Sequence, residues 1–467
     1  MGKNISLVFF GTPEVSRTIL EKLNEHFIVK AAVTRPDKPA GRKREMKASP
    51  VKEFCLKNGI TVLTPEKPDD SLVQALKPLN ADVFFVFAYG MILPGKVLAL
   101  PKTASVNLHY SLLPQLRGSS PITYALLNGY KKTGISFIRM NEKMDAGDVI
   151  FEKTAVITED DDYFSLEKKL TDLSGDCIAD VLRDLEELLE SARPQDETAT
   201  DYTPYLSPDM ANVNWYLDAG KVKRTIAAFC EWPQAFTYLN GRPIKLLKAR
   251  ISGCSSGKAL PGMVTAVGKD SFTVRCGEGS IDILSVKPYG KNEMTSKDFI
   301  NGRFIFEGKN FTLYREKDIK SPAVENMDIS GYKMITLHHT NSFNFGKADD
   351  KEIFGKIKDY HIRIREFDDI GYHFVIGRKG EIFKGRDTRS AGAHVRGKNE
   401  GNLGIALIGD FNLTEPGAAQ TASLLYILEK AGRKERLPVY GHRDLSEKFT
   451  TCPGDKLYGM IRYFNEL

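Results

Sequence analysis

Apolar and polar positions follow two rhythms along the chain. Ile5 to Phe10 is an apolar run of strand length, Val15 to Leu23 has helical spacing, and Ile28 to Thr34 is again strand-like. Ala81 to Ala88 (ADVFFVFA) is apolar almost without a break, as in a strand covered on both faces, and Ser105 to Leu108 predicts a further strand. From Met1 to about Gln195 the chain therefore alternates β with α, which predicts a mostly parallel, Rossmann-like α/β sheet. Glu197 to Pro208 (ETATDYTPYLSP) is polar and carries two prolines, so a linker is expected there. A short helical stretch from Ala219 to Cys230 follows. Then come five β-like runs: Ala235 to Leu239, Ile244 to Ala249, Gly262 to Val267, Ser271 to Cys276 and Ser280 to Val286. Short strands separated by Gly and Asn turns predict a small, OB-like β-barrel over 205–315. Glu316 to Gly331 is charged and has no apolar period, which predicts a second linker. The expected domains are 1–195, 205–315 and 331–467, in keeping with a length prior of roughly 150 residues per domain.

Composition changes this picture only at the C-terminal end, where six of the eight histidines lie. The six cysteines, Cys55, Cys177, Cys230, Cys254, Cys276 and Cys452, are scattered and form no CxxC pair, so no disulfide framework is expected. No run approaches the roughly 20 apolar residues of a membrane span. The N-terminus has the apolar run of a strand and not the layout of a signal peptide. A soluble, cytoplasmic monomer is the expectation, and the net charge of +6 permits an anionic partner without requiring one.

Three segments carry the first chemical signal: Asn107-Leu108-His109 running into Ser111-Leu112-Leu113-Pro114, then Arg117-Gly118-Ser119-Ser120-Pro121, then Met144-Asp145-Ala146-Gly147-Asp148. Asn107 and His109 are two apart at a strand end, so their side chains share a face. An amide and an imidazole then converge at the carboxyl edge of a sheet, where open α/β folds keep their sites. A carboxylate from a later loop can orient or charge that imidazole. In order and in residues, these segments resemble the formyltransferases that use 10-formyltetrahydrofolate. The likeness continues at Gly11-Thr12-Pro13-Glu14, at the run from Phe87 to Pro94 (FAYGMILP) and at Thr133-Gly134-Ile135-Ser136. The resemblance implies catalysis by Asn107, His109 and Asp145. It places the formyl donor against Phe87, Tyr89, Gly90, Ile92, Leu93, Ser111, Leu112, Leu113 and Pro114.

The acceptor amine is read from other features. Thr34 to Lys52 is a basic segment with Arg35, Lys38, Arg42, Lys43, Arg44, Lys47 and Lys52, and its prolines and glycine predict a loop. A basic loop beside the site suits phosphate contacts at an RNA end. The PDKPAGR stretch is similar to the insertion loop of methionyl-tRNA formyltransferases, which implies tRNA contacts by Arg42, Lys43 and Arg44. The barrel, with Glu231-Trp232-Pro233 and Phe236, is similar to the C-terminal domain of that family, and Lys245, Lys248 and Arg250 are candidates for the RNA backbone. Initiator Met-tRNA is the expected acceptor. The alternative acceptors are glycinamide ribonucleotide and an amino-sugar nucleotide, and the alternative for the C-terminal domain is a non-catalytic peptidoglycan-binding module.

That module is the second signal. Thr336-Leu337-His338-His339-Thr340, Gly371-Tyr372-His373, Gly392-Ala393-His394, Gly441-His442-Arg443-Asp444 and Thr450-Thr451-Cys452-Pro453 bring histidines and a cysteine into one domain. Imidazole and thiolate suit Zn²⁺, and three protein ligands leave one position for water. These segments resemble the type-2 amidase and peptidoglycan-recognition family, which implies an α/β domain with a mixed sheet. The resemblance also implies Zn²⁺ on His338, His442 and Cys452, an oxyanion-stabilising Tyr372 with Thr450 nearby, and His394 in the groove for a muropeptide or peptidoglycan fragment. Ala406 stands where cytosolic recycling amidases of this superfamily carry a Glu base. The expected second activity is cleavage of the N-acetylmuramoyl-L-alanine bond.

Overall fold

A computed structural model describes residues 5–40, 45–253, 259–315, 318–319, 321–341, 348–432 and 437–465. They fall into two bodies, Met1–Leu206 and Ser207–Leu467. In the first, β1 (Ser6–Phe10), β2 (Ile28–Val33), β5 (Thr61–Leu63), β6 (Val83–Val86) and β7 (Ala104–His109) are parallel, whereas β9 (Lys132–Arg139) runs antiparallel to both its neighbours, β7 and β10 (Val149–Val156); their order is β10-β9-β7-β6-β1-β2-β5. The apolar runs become strands because helices such as Glu14–His26 and Tyr163–Arg183 cover the sheet, and every residue of β1, β6 and β7 is buried. β7 lies between β6 and β9, so its carboxyl end opens in the interior of the sheet and not at its margin.

Two segments differ from the sequence expectation. The basic loop is in part a hairpin, β3 (Lys38–Ala40) against β4 (Glu45–Lys47), with Lys38 opposite Lys47. Residues 41–44, and with them Arg42, Lys43 and Arg44, lie outside the described residues. The stretch expected as the first linker runs back over the first body, where β11 (Tyr202–Thr203) pairs in parallel with β8 (Arg117–Gly118). Its polar residues are hydrogen-bonding partners of that body, and polarity alone gives no sign of this.

In the second body the five β-like runs are strands β12 (Phe236–Leu239), β13 (Arg242–Ile251), β14 (Val264–Val267), β15 (Phe272–Arg275) and β16 (Ser280–Pro288), joined by β17 (Met294–Thr295) and β18 (Phe311–Thr312). The antiparallel sheet, ordered β14-β15-β16-β13-β12-β18, curls until its edges meet: Phe311 N–H donates to Gly262 O at 2.9 Å. Gly262 has φ 91°, and a Cβ there would lie 2.4 Å from Phe311 O, so closure requires the glycine.

The last sheet is mixed, in the order β21-β20-β22-β19-β23, with β19 (Met334–His339), β20 (Phe374–Ile376), β22 (Asn402–Leu407) and β23 (Val439–Gly441) parallel and β21 (Ile382–Lys384) antiparallel at one edge. Helix Ala418–Gly432 is buried almost all round, since Leu424, Leu425, Tyr426, Ile427 and Leu428 occupy successive faces. The barrel's own Asn214 donates through Nδ2 to Thr421 Oγ1 at 3.1 Å on this helix. Tyr216 packs within the same core as the sheet, its ring 5.7 Å from that of Phe464. The segment expected as a second linker contributes Val324, 1% exposed, to this core, and its Glu325 lies 3.3 Å from Lys430. No helix among the described residues is long and apolar enough to cross a membrane.

Candidate functional sites

At the carboxyl end of β7, Asn107 and His109 point to one face and are 8% and 6% exposed. The loop before β10 carries Asp145 to them. Asn107 Nδ2 donates to Asp145 Oδ1 at 3.4 Å, and Asp145 Oδ2 lies 3.7 Å from His109 Nδ1. The same Oδ2 accepts the Gly118 N–H at 2.8 Å. His109 Nε2 sits 2.9 Å from Leu116 O, a pure acceptor, so the neutral ring carries its proton on Nε2. Nδ1 is then the ring nitrogen left to take a proton, and it faces the carboxylate. The loop reaches this position because Gly147 has no side chain: a Cβ there would lie 1.8 Å from Arg139 O.

The segment Phe87 to Leu93 leaves the carboxyl end of β6 beside this group and is held by Thr12 Oγ1, which donates to Tyr89 O at 3.0 Å. Its side chains divide into two sets. Phe87, Tyr89 and Leu93 are buried in the domain, whereas Ile92 is 67% exposed and Gly90 is open. The segment thus offers a ligand Gly90 and Ile92, with the Phe87 ring packed against that of Tyr110 at 4.7 Å and tilted by 44°. Ser111 and Leu113 are also buried; Ser111 Oγ donates to Gln115 O at 2.6 Å and Leu113 N–H to Ser136 Oγ at 3.1 Å, while Leu112 and Pro114 remain part-exposed.

In the second body, His338 near the carboxyl end of β19, His442 just after β23 and Cys452 on the following loop bring their ligand atoms within 4.8 Å of one another. Strand alternation aims His338 into this group and His339 away from it, where His339 Nδ1 accepts the Phe411 N–H. Burial drives the imidazoles of His338 and His442 towards the neutral form, with the neighbouring imidazoles adding to the effect at His338. Burial also pushes the Cys452 thiol up to about 12. Neutral imidazoles are the ligating form, and a divalent cation between the three would favour the thiolate that burial opposes, so the donor set fits Zn²⁺. His338 Nε2 lies 3.0 Å from His394 Nδ1, which leaves Nδ1, 3.6 Å from Cys452 Sγ, as the nitrogen directed inward. Tyr372 stands beside this group, its ring 5.1 Å from that of His338.

His394 has a different place from the groove position expected. It is 9% exposed, and its second ring nitrogen is 3.1 Å from Asn402 O, so both nitrogens are engaged within the protein. Burial lowers its pKa to about 3. It stands behind His338, within hydrogen-bond distance of its Nε2. Thr450 accepts the Cys452 N–H on Oγ1 at 3.2 Å and so shapes the ligand loop.

The comparisons with known proteins follow the same division. Residues 3–182 match the formyl transferase family model, 205–303 match that of the formyl transferase C-terminal domain, and 328–455 match that of N-acetylmuramoyl-L-alanine amidase. The methionyl-tRNA formyltransferase of Caldanaerobacter subterraneus subsp. tengcongensis is 38% identical over 306 residues, which is 65% of this chain and 98% of that protein. The enzyme of the same description from Pseudoalteromonas translucida is 37% identical over 308 residues, 65% of this chain and 95% of that protein. The chain belongs to the methionyl-tRNA formyltransferase family. It carries in addition an amidase domain of the N-acetylmuramoyl-L-alanine type.

Two features of the formyltransferase portion lay beyond the sequence reading. Arg117 was visible as part of a motif, but its guanidinium is wholly buried and pairs with Glu197 at 3.1 Å. Gln195 carried no signal of its own, yet it bonds the loop that holds Asp145. In the barrel, Lys245 stands directly opposite Lys287 across β13 and β16, and burial followed by that neighbour lowers its pKa. Arg250 is paired with Asp282 at 3.1 Å, and Lys248 is exposed.

Proposed function

We propose that the first body transfers the formyl group of 10-formyltetrahydrofolate to the amino group of methionine on initiator tRNA. The observation that carries the chemistry is the convergence of Asn107, His109 and Asp145 at the end of β7. As an amine adds to the formyl carbon, negative charge grows on the formyl oxygen and the nitrogen must lose a proton. The Asn107 amide supplies a donor for that oxygen. His109 Nδ1 takes the proton, and the Asp145 carboxylate beside it stabilises the imidazolium so formed; the intermediate then breaks the bond between the formyl carbon and N10 of the folate, and the imidazolium returns its proton to that departing nitrogen. Gly90 and Ile92 are the exposed positions for the pterin end of the donor.

Two observations favour a polyanionic acceptor. Lysines face each other across the hairpin, Lys38 opposite Lys47, and again across the barrel, Lys245 opposite Lys287. Like charges directly opposite one another destabilise a sheet unless an anion lies between or beside them. RNA phosphates are such an anion, and the curated relatives that the chain matches along nearly their full length are named for Met-tRNA. The test supplies labelled formyl donor together with charged initiator tRNA or an amino-sugar nucleotide. Label is expected on Met-tRNA, with transfer weakening as salt rises; label on the sugar alone would reject tRNA as the acceptor.

For the C-terminal domain we infer hydrolysis of the amide between the muramoyl lactyl group and L-alanine in a muropeptide. His338, His442 and Cys452 would hold Zn²⁺, which supplies Lewis acidity and an activated water when bound. Burial raises the Tyr372 phenol well above its ordinary pKa, so it stays protonated and can donate to the oxygen of the scissile amide. His394 fixes the orientation of His338, and Thr450 that of the Cys452 loop. The proposed workplace of both activities is the cytosol, where formyl-folate and tRNA are found.

A further inference from the structure

We propose that Gln195 is a positioning residue for formyl transfer, the working part of a strap that holds Asp145 against Asn107 and His109. The proposal rests on Asp145 serving that reaction. Asp145 has φ 50°, a conformation that a non-glycine residue keeps only when its surroundings hold it. Gln195 Nε2 donates to Asp145 O at 2.8 Å and to Gly147 O at 2.6 Å, gripping the loop on both sides of Ala146. Gln195 Oε1 accepts from Arg117 Nε at 2.9 Å. Only one orientation of the amide satisfies all three bonds, because two carbonyls need donors and a guanidinium needs an acceptor.

Arg117 ties this contact to the other end of Asp145. Its guanidinium is anchored on Glu197 and Tyr202, and its neighbour Gly118 donates its N–H to the Asp145 carboxylate. Gly118 has φ 114°, and a Cβ there would lie 2.7 Å from Thr203 Oγ1, so the strap also closes directly on the residue that holds the carboxylate. The backbone and the carboxylate of Asp145 are thus fixed by one connected set of bonds. Apart from Asn107, whose Nδ2 also donates to the carboxylate, the members of that set outside the loop belong to residues 117–118 or to the strap at 195–203.

The test measures kcat and KM for both substrates in the full-length chain carrying Gln195→Ala, Gln195→Glu, Asp145→Ala, or Gln195→Ala with Asp145→Ala. Gln195→Glu keeps the acceptor for Arg117 but removes both donors to the loop. In each Gln195 variant kcat is expected to fall about 10- to 100-fold, the scale of an ångström-sized misplacement, with both KM values nearly unchanged. In the Asp145→Ala background, Gln195→Ala is expected to add nothing, because the strap acts through Asp145. Wild-type kcat in Gln195→Glu, or losses that multiply in the double variant, would overturn the strap while leaving Asp145 in its role. Normal turnover by Asp145→Ala would overturn that role and the strap together.

Discussion

Replacing His109 with alanine is expected to lower the rate of formyl transfer by at least ~10²-fold, the usual contribution of a positioned general base. The loss should appear in kcat, since His109 is 6% exposed at the end of β7 and offers little surface for binding. Asn107→Ala should cost about 10²–10³ in kcat, as removal of an oxyanion donor does in other enzymes. Asp145→Asn separates charge from shape: it preserves an acceptor for Gly118 N–H but removes the charge 3.7 Å from His109 Nδ1. Its kcat should fall with little change in thermal unfolding. Measured by transfer of labelled formyl to charged initiator tRNA, near-normal turnover of His109→Ala would dismiss the assignment.

Cys452→Ser is expected to remove bound zinc and amidase turnover together, by about 10²-fold or more, while formyl transfer continues at its normal rate. The pH dependence of zinc uptake follows from the ligands themselves. Burial holds the Cys452 thiol near 12, so zinc binding at neutral pH must expel its proton. The His338 and His442 imidazoles, shifted downward, are already neutral there and release none. Affinity should therefore increase as pH rises through neutrality. Metal content by atomic absorption and cleavage of a muramyl peptide report the two losses. Full cleavage by Cys452→Ser would show that Cys452 is not a ligand, and tight peptide binding without cleavage by the zinc-loaded parent would identify a recognition module.

The strands and the main chemical residues were legible because their signals are local. Apolar runs of strand length became β1, β6 and β12 to β16, and Asn107-x-His109 needed only strand periodicity to place two side chains on one face. What stayed hidden depends on contacts distant in sequence. Gln195 sits 50 residues from the Asp145 carbonyl that it bonds, in a polar stretch that reads as solvated. His394 looked like a groove residue because its motif gives no direction, and only its bond to His338 shows it standing behind the ligand. Val324 was lost among charges, although with Ala323 and Met327 beside it this residue seats a short helix on the core. Pairing of the hairpin at Lys38–Lys47 was obscured because proline and lysine both lower strand expectation.

The seating of Tyr216 and Asn214 against helix Ala418–Gly432 gives the second body a shared thermodynamic fate. Tyr216 and Leu313 from the barrel portion are buried in the core of the amidase sheet, so melting of that sheet exposes part of the barrel portion and loss of the barrel portion opens that core. Anything that binds the native state alone adds RT ln(1 + [L]/Kd) to its stability, about 4 kcal/mol at a thousandfold excess over Kd. Occupancy of the His338–His442–Cys452 site would then be felt in the barrel as resistance to unfolding. The supply of a metal used by one activity would set the heat tolerance of a module serving the other.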